Sequence, residues 1–568
     1  MGHSYSELFE TFRWHVPKGF NLAQACCLQW ASLPSHERRA AIIEQTPSGS
    51  TRMTSFVELA QTTSQLANGL TRLGVIPGDR VLIVLSNPAD ALMAMLACWA
   101  IRAVAVPLAP DLSAEALLPK FKHARSQVVL IDANTQEQAL TAINRCPRIK
   151  HIVGQDVYDG RVMSWRGLLA RQPEVFVPND CLPSDPALLV WPEVALPDLP
   201  ASAALVMAHQ SLIGQLPGFV MATNWFPDNA SQLLTTFEPW RDHGLLAAVL
   251  PALYFGHTVV LAQRLPTPAN LPRAVTHVMT TGRELIDTLN HSAHGTHGAS
   301  GAEATKPLQA LAVLDHALTQ TWRERTEASF GVTPNLATFV PGCGLVLAQC
   351  QQRWSEPAAS SGKVVPGHRM GLANTDGQPV EGQTFGTVGH LQVARTDSAC
   401  QTDPALFIQA WPLKETLDVS AALPPWCTTP LWARQLATDQ WQVLGNDNDW
   451  KMIDSQPISL WETEQRLLAL EGVSWAQIAI MPTRKTAAGD FEIWAFVDAG
   501  SGVDRQLKPW REETMQRVSQ AIAQVIDGAG ETIKVRVGVV DHLALPDKDR
   551  HQRLPWQTRA YQALVDFL

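Results

Sequence analysis

Three histidines, His291, His294 and His297, recur at every third position of the stretch HSAHGTHGASGAEATK (291–306). Imidazoles at a short fixed spacing are what a zinc or copper site asks for. A tract of Gly, Ala and Ser holds no ligand rigidly, however, and no carboxylate stands at a matching spacing. The stretch reads as a solvated loop, and no metal site is expected. The nine cysteines, at 26, 27, 98, 146, 181, 343, 350, 400 and 427, contain no C-x-x-C pair. Neither a zinc ribbon nor a thioredoxin-like site is signalled, and an odd, sparse count fits a reducing cytosol. No nucleophile stands beside a recognisable base. Lysine is scarce: there are 12 Lys against 32 Arg, and none between Lys150 and Lys306. Tryptophan is in excess, 19 against 4 Tyr, with Trp411, Trp426, Trp432, Trp441, Trp450, Trp461 and Trp475 close together in sequence.

The elements that must position these residues alternate from the start. Ser55 and Glu58 form a capping-box signature opening a helix. Leu66, Leu70 and Leu73 keep helical spacing, and Gly74 follows as a stop. VLIVL (81–85), AVAVPL (103–108) and VVLID (128–132) are short apolar runs of the kind buried in parallel sheets, with helices between them, one over about 89–101. This βαβα rhythm predicts an α/β fold of doubly wound sheets. From Gly445-Asn446-Asp447-Asn448-Asp449, a turn-forming cluster, the pattern restarts as a smaller α+β unit. Its expected elements are helices near 462–470 and 511–527 and strands near 476–481, 491–498 and 532–540. The expected domains are therefore 1–446 and 447–568.

A chain of 568 residues, 46% hydrophobic, has ample length for a large core. Its net charge of −9, without a basic run, argues against a nucleic-acid partner. The N-terminus lacks a basic region followed by an apolar one, so no signal peptide is expected. The apolar stretches 81–108 and 187–222 are broken by charges and prolines, so no transmembrane segment is expected. The expectation is a cytoplasmic protein.

Several segments resemble the AMP-forming acyl-CoA synthetases of the adenylate-forming superfamily, especially the medium-chain type. LTRLGVIPGDRVLIVLSN (70–87) and AVAVPLAPDLSAEAL (103–117) are similar to that family's opening units. The run from Ala208 through Gly218, HGLLAAVLPALYFGHTVVL (243–261) and KVVPGHRMGLANTDGQPVEGQTFGTVGHLQV (363–393) resemble later segments in the same order. The resemblance runs over roughly residues 20–555. It implies a large N-terminal domain, a small rotating C-terminal domain, and two-step chemistry. A carboxylate attacks the ATP α-phosphate, and coenzyme A then takes the acyl group. Such chemistry depends on positioning and on stabilising anionic oxygens.

The residues that would carry that chemistry are missing where the resemblance puts them. Asp185-Pro186-Ala187 leads into a segment with no Gly, Thr or Lys from 168 to 213, where the family has a Gly-rich phosphate loop. Prolines at 192, 197 and 200 remove N–H donors there, and Glu193 and Asp198 would repel phosphate. The adenine-stacking aromatic corresponds to Thr338, the Mg²⁺-binding Glu to Gly342, and the ribose-binding Asp to Leu431. Near the hinge the Arg and the pivoting Asp correspond to Asn446 and Asn448, and a glycine beyond them to Ser455. The adenylation lysine corresponds to Gln552, with Lys548 and Arg550 nearby. His209, beside the lost loop, reads as structural.

The expectation is a catalytically degenerate homologue with no catalytic residues. It would be a non-catalytic protein that binds an acyl ligand or a protein partner or serves as a scaffold, with no cofactor needed. Trp240 and Gly244, in the segment matching the family's acyl-pocket wall, are the candidate ligand-lining residues, the alternative being that Trp240 fills core. The Trp-rich stretch 411–475 falls where the ATP-facing surface and hinge lie in the family. It reads as ordinary core, or as a partner face or fixed interdomain contact. The other functional reading is a divergent ATP-dependent carboxylic acid–CoA ligase using ATP, Mg²⁺ and coenzyme A, with Lys548 or Arg550 as a shifted cation.

Overall fold

The computed structural model describes residues 4–292 apart from 37, 46–50, 193, 201 and 229. It also describes 308–453 apart from 315–317, 319, 358, 375–376, 381–383, 398–400 and 412–422. Beyond these it describes 456–468, 470, 473–482, 491–499, 516–518, 520 and 534–539. Ser55 caps the helix Phe56–Arg72 through the reciprocal bonds of a capping box with Glu58. Gly74, at φ +84°, turns the chain out of it in a conformation that favours glycine. Asn87 caps the next helix, Pro88–Ala100, with proline at its first position. Every residue from Ala89 to Ala100 is buried, as a helix apolar on all sides must be.

Eight strands form one sheet around the parallel set Arg80–Val84, Val104–Pro107, Val128–Asp132 and His151–Gln155. Pro186–Val190 joins it in parallel beside Val104–Pro107. Ala204–Ala208 then runs antiparallel to Pro186–Val190, and Gln409–Trp411 antiparallel to Ala204–Ala208.

The second sheet has 13 strands. Its parallel part includes Gln232–Thr235, Thr258–Leu261, Val275–Thr280, Ala310–Leu314 and Asn335–Val340. From Gly344–Ala348 onward the order turns antiparallel, through Gly362–Val364, Gln440–Asn446, Trp426–Ala437 and Val388–Ala394. The apolar runs are buried on both faces, which is why they read as continuous rather than alternating.

The 3-10 turn Asp447–Asp449 leads into the hairpin Trp450–Ile453 with Gln456–Ser459 and the helix Leu460–Leu468. A three-stranded sheet follows, made of Val473–Pro482, Phe491–Ala499 and Lys534–Val539. The chain thus has a mixed α/β fold, with a large N-terminal part on two sheets and a smaller C-terminal part. Of the expected helix over 511–527 only 516–518 and 520 are among the described residues, and they are helical. The triplet His291, His294 and His297 lies largely outside the described residues. Among those described, no group of His, Cys, Asp and Glu is arranged to hold a metal ion.

Candidate functional site

The segment matched to the phosphate loop joins the antiparallel strands Pro186–Val190 and Ala204–Ala208. A strand–turn–strand frame is therefore kept, with Leu196 turned into the core while Pro197, Asp198 and Pro200 stay exposed. Leu196 is 2% exposed and packs in the main apolar core. Its carbonyl accepts from Leu199 N–H at 3.0 Å, and that of Pro200 from Ala203 N–H at 2.8 Å. Asp198 Oδ2 accepts from the backbone N–H of Thr428 at 2.8 Å. The loop is tied to the strand Trp426–Ala437 by the Asp198 carboxylate, while Leu196 packs in the main core. A phosphate cradle needs the reverse, free N–H groups pointing into a concavity. Glu193 lies outside the described residues.

Thr338 sits on the strand Asn335–Val340, paired with Leu347 across the sheet. It is 1% exposed, and its hydroxyl has no hydrogen-bond partner among the described residues. Gly342, in the turn that follows, has φ +72°. Its carbonyl accepts from Phe407 N–H at 2.7 Å. A Cβ there would lie 2.7 Å from Leu205 Cδ1 and 3.0 Å from Phe407 Cδ1. A side chain at this position would be strained by the left-handed backbone and would have to displace the Leu205 side chain. Leu431 is buried and pairs with Asn446 across neighbouring strands, so the two matched positions remain adjacent although neither is charged. Asn446 N–H donates to Asp449 Oδ2 at 2.7 Å, closing the turn that contains Asn448. Ser455, Lys548, Arg550 and Gln552 lie outside the described residues.

Trp240 is partly buried, and its indole N–H donates to Glu238 Oε2 at 3.0 Å. A Cβ on Gly244 would meet the Glu238 carbonyl oxygen at 2.3 Å. That glycine permits a close backbone approach. His209 is fully buried, and its Nδ1 accepts from Leu22 N–H at 3.2 Å. Burial pushes its imidazole down to about 4, so it is neutral and structural at pH 7.

Two groupings were not legible in the sequence. Beside Gly342, the Cys343 and Cys427 sulfurs lie 3.5 Å apart. Near them Arg395 donates to the Phe407 and Pro424 carbonyls at 2.9 and 3.0 Å and packs over the Phe407 ring. The second grouping surrounds Trp432, which lies 4.3 Å from the His390 ring and stacks on Trp450 at 4.9 Å. Its indole donates to Asp447 Oδ1 at 2.9 Å. Residues 84 apart form the thiol pair, and neither local spacing nor pattern announces such a contact. Of the other tryptophans, Trp441 is core at 3% exposed, and Trp411 is tied to the His123 carbonyl and the Arg80 guanidinium. The Trp461 and Trp475 side chains lie outside the described residues.

A model of the AMP-binding enzyme family matches residues 29–191. The acetyl-coenzyme A synthetase of Laribacter hongkongensis is 31% identical over 199 residues, 32% of this chain and 30% of that protein. The human protein called acetyl-coenzyme A synthetase 2-like, mitochondrial, is 33% identical over 149 residues, 24% of this chain and 21% of its own length. The chain thus spans under a third of the length of these curated relatives. Its fold is close to that of an anthranilate CoA ligase solved with anthranoyl-AMP: TM-score 0.77, 16% identity, 97% of this chain and 99% of that one. A benzoate CoA ligase from Burkholderia xenovorans gives TM-score 0.74 at 17% identity, over 95% of this chain and 100% of that one. At such identities the likeness speaks for the fold alone. The chain is an acyl-CoA synthetase-like protein with the adenylate-forming fold.

Proposed function

We propose that the chain does not adenylate carboxylic acids and acts as a catalytically degenerate, cytoplasmic member of this group that binds an acyl ligand or a protein partner. The observation that carries the reading is Gly342, which stands where the resemblance puts a magnesium-binding carboxylate and holds a left-handed backbone, φ +72°, where any side chain is strained and presses on Leu205 and Phe407. A magnesium nucleotide does not fit these residues. Burial of Leu196, anchoring of Asp198 on Thr428 and the apolar Leu431 support the same reading. ATP, Mg²⁺ and coenzyme A are then not needed. Losing one preorganised donor from such a site costs about 10²–10³ in rate, and loss of the whole set leaves no useful turnover. ATP–pyrophosphate exchange with medium-chain acids tests this, and a thermal shift with those acids tests the binding role.

The second reading is a divergent ligase. It is favoured by the identity with acetyl-coenzyme A synthetases over about a third of the chain. Acid-dependent exchange that disappears in Lys548→Ala or Arg550→Ala would establish it and sink the first.

A further inference from the structure

Two hydrogen bonds, one at Gly342 and one at Asp198, each have a cysteine next to them in sequence. Gly342 O accepts from Phe407 N–H, and Cys343 is the next residue. Thr428 N–H donates to Asp198, and Cys427 is the residue before. The two thiols belong to different strands' ends: Cys343 ends the turn after Asn335–Val340, and Cys427 lies on Trp426–Ala437. Their sulfurs nevertheless meet at 3.5 Å. Both are free thiols, 0% and 2% exposed. A disulfide needs sulfurs at about 2.05 Å, and these two, in direct contact at 3.5 Å, are already neighbours.

We propose that Cys343 and Cys427 are a redox site, forming a reversible disulfide that locks the turn at Gly342 to the strand that holds Asp198. The oxidant is a small-molecule disulfide. One cysteine thiolate attacks a sulfur of the reagent and expels one thiolate, leaving a mixed disulfide on the protein. The second cysteine thiolate attacks the protein-bound sulfur and expels the other. Two electrons pass from the cysteines to the reagent, and the two protons end on the two released thiols.

The surroundings set how this runs. The hydrogen bond between the two thiols and their burial hold the Cys343 pKa well above its ordinary value, and the Arg395 guanidinium works partly against that. The thiolate therefore forms when local opening brings the buried pair into contact with water. Oxidation is limited by opening, and the product then opposes further opening. The site is independent of whether the protein adenylates, because its readout is a covalent mass.

The test uses the full chain in a glutathione redox buffer, in two arms: native protein over hours, and protein unfolded and refolded in the same buffer. Digestion and mass spectrometry should find the peptides of Cys343 and Cys427 joined with loss of two hydrogens, separated again by dithiothreitol, in the refolded arm first. Cys427→Ser should abolish that linkage, and the oxidised protein should show slower amide exchange at Thr428. Refolded protein with a native spectrum and no Cys343–Cys427 linkage, or with either cysteine joined preferentially elsewhere, would overturn the proposal.

Discussion

At the residue scale, Thr338 gives the sharpest stability expectation. Its hydroxyl is buried without a partner among the described residues, and leaving a polar group so costs about 1–3 kcal/mol. Thr338→Val keeps the shape and the branched side chain suited to a strand. It should raise stability by about 1 kcal/mol, read as a higher urea midpoint at unchanged slope. Gly342→Glu restores the residue type that the resemblance implies, and should do harm. It adds a side chain at φ +72° against Leu205 and Phe407. The expected loss is at least about 2 kcal/mol, with no gain of pyrophosphate exchange. Both residues were singled out by the sequence through their matched positions. What the sequence did not carry was the packing that surrounds them, because Leu205 and Phe407 come from distant segments.

Among elements, the loop between Pro186–Val190 and Ala204–Ala208 matters most. Asp198→Ala removes its one bond to the strand Trp426–Ala437 that is described here. A hydrogen bond to a charged group contributes about 1.5–3 kcal/mol. Amide exchange at Thr428 should therefore speed at least about tenfold, the factor that 1.4 kcal/mol corresponds to. Unchanged exchange would mean that Leu196 alone holds the loop. The elements themselves were largely readable. The capping box at Ser55 and the apolar runs at 81–85, 103–108 and 128–132 appear as the helix Phe56–Arg72 and as strands within a residue or two. Local propensity and burial on both faces agree there, and such agreement is what makes an element legible. The course of the proline-rich loop was not legible, because its anchors are long-range: Leu196 packs into the main core, and the Asp198 carboxylate meets an N–H some 230 positions away.

The whole molecule keeps the scaffold of the adenylate-forming fold, with no lysine between Lys150 and Lys306. Burial also ties its stability to pH. His209 and His277 are fully buried, and burial holds both imidazoles down to about 4. In the unfolded chain they titrate near the ordinary value of about 6.5. Between those values the unfolded state binds more protons, so stability is complete above about 6.5 and falls as pH drops toward 4. The urea midpoint should decline over that window, and His209→Asn, which can still accept from Leu22 N–H, should flatten the decline. The central proposal is that Gly342, with its left-handed backbone packed on Leu205 and Phe407, provides no magnesium-nucleotide site. Calorimetric titration of the intact chain with ATP and Mg²⁺, run alongside ATP–pyrophosphate exchange with medium-chain acids, tests it most directly. The account predicts no saturable heat and no acid-dependent exchange; saturable binding with exchange that requires the acid would contradict it.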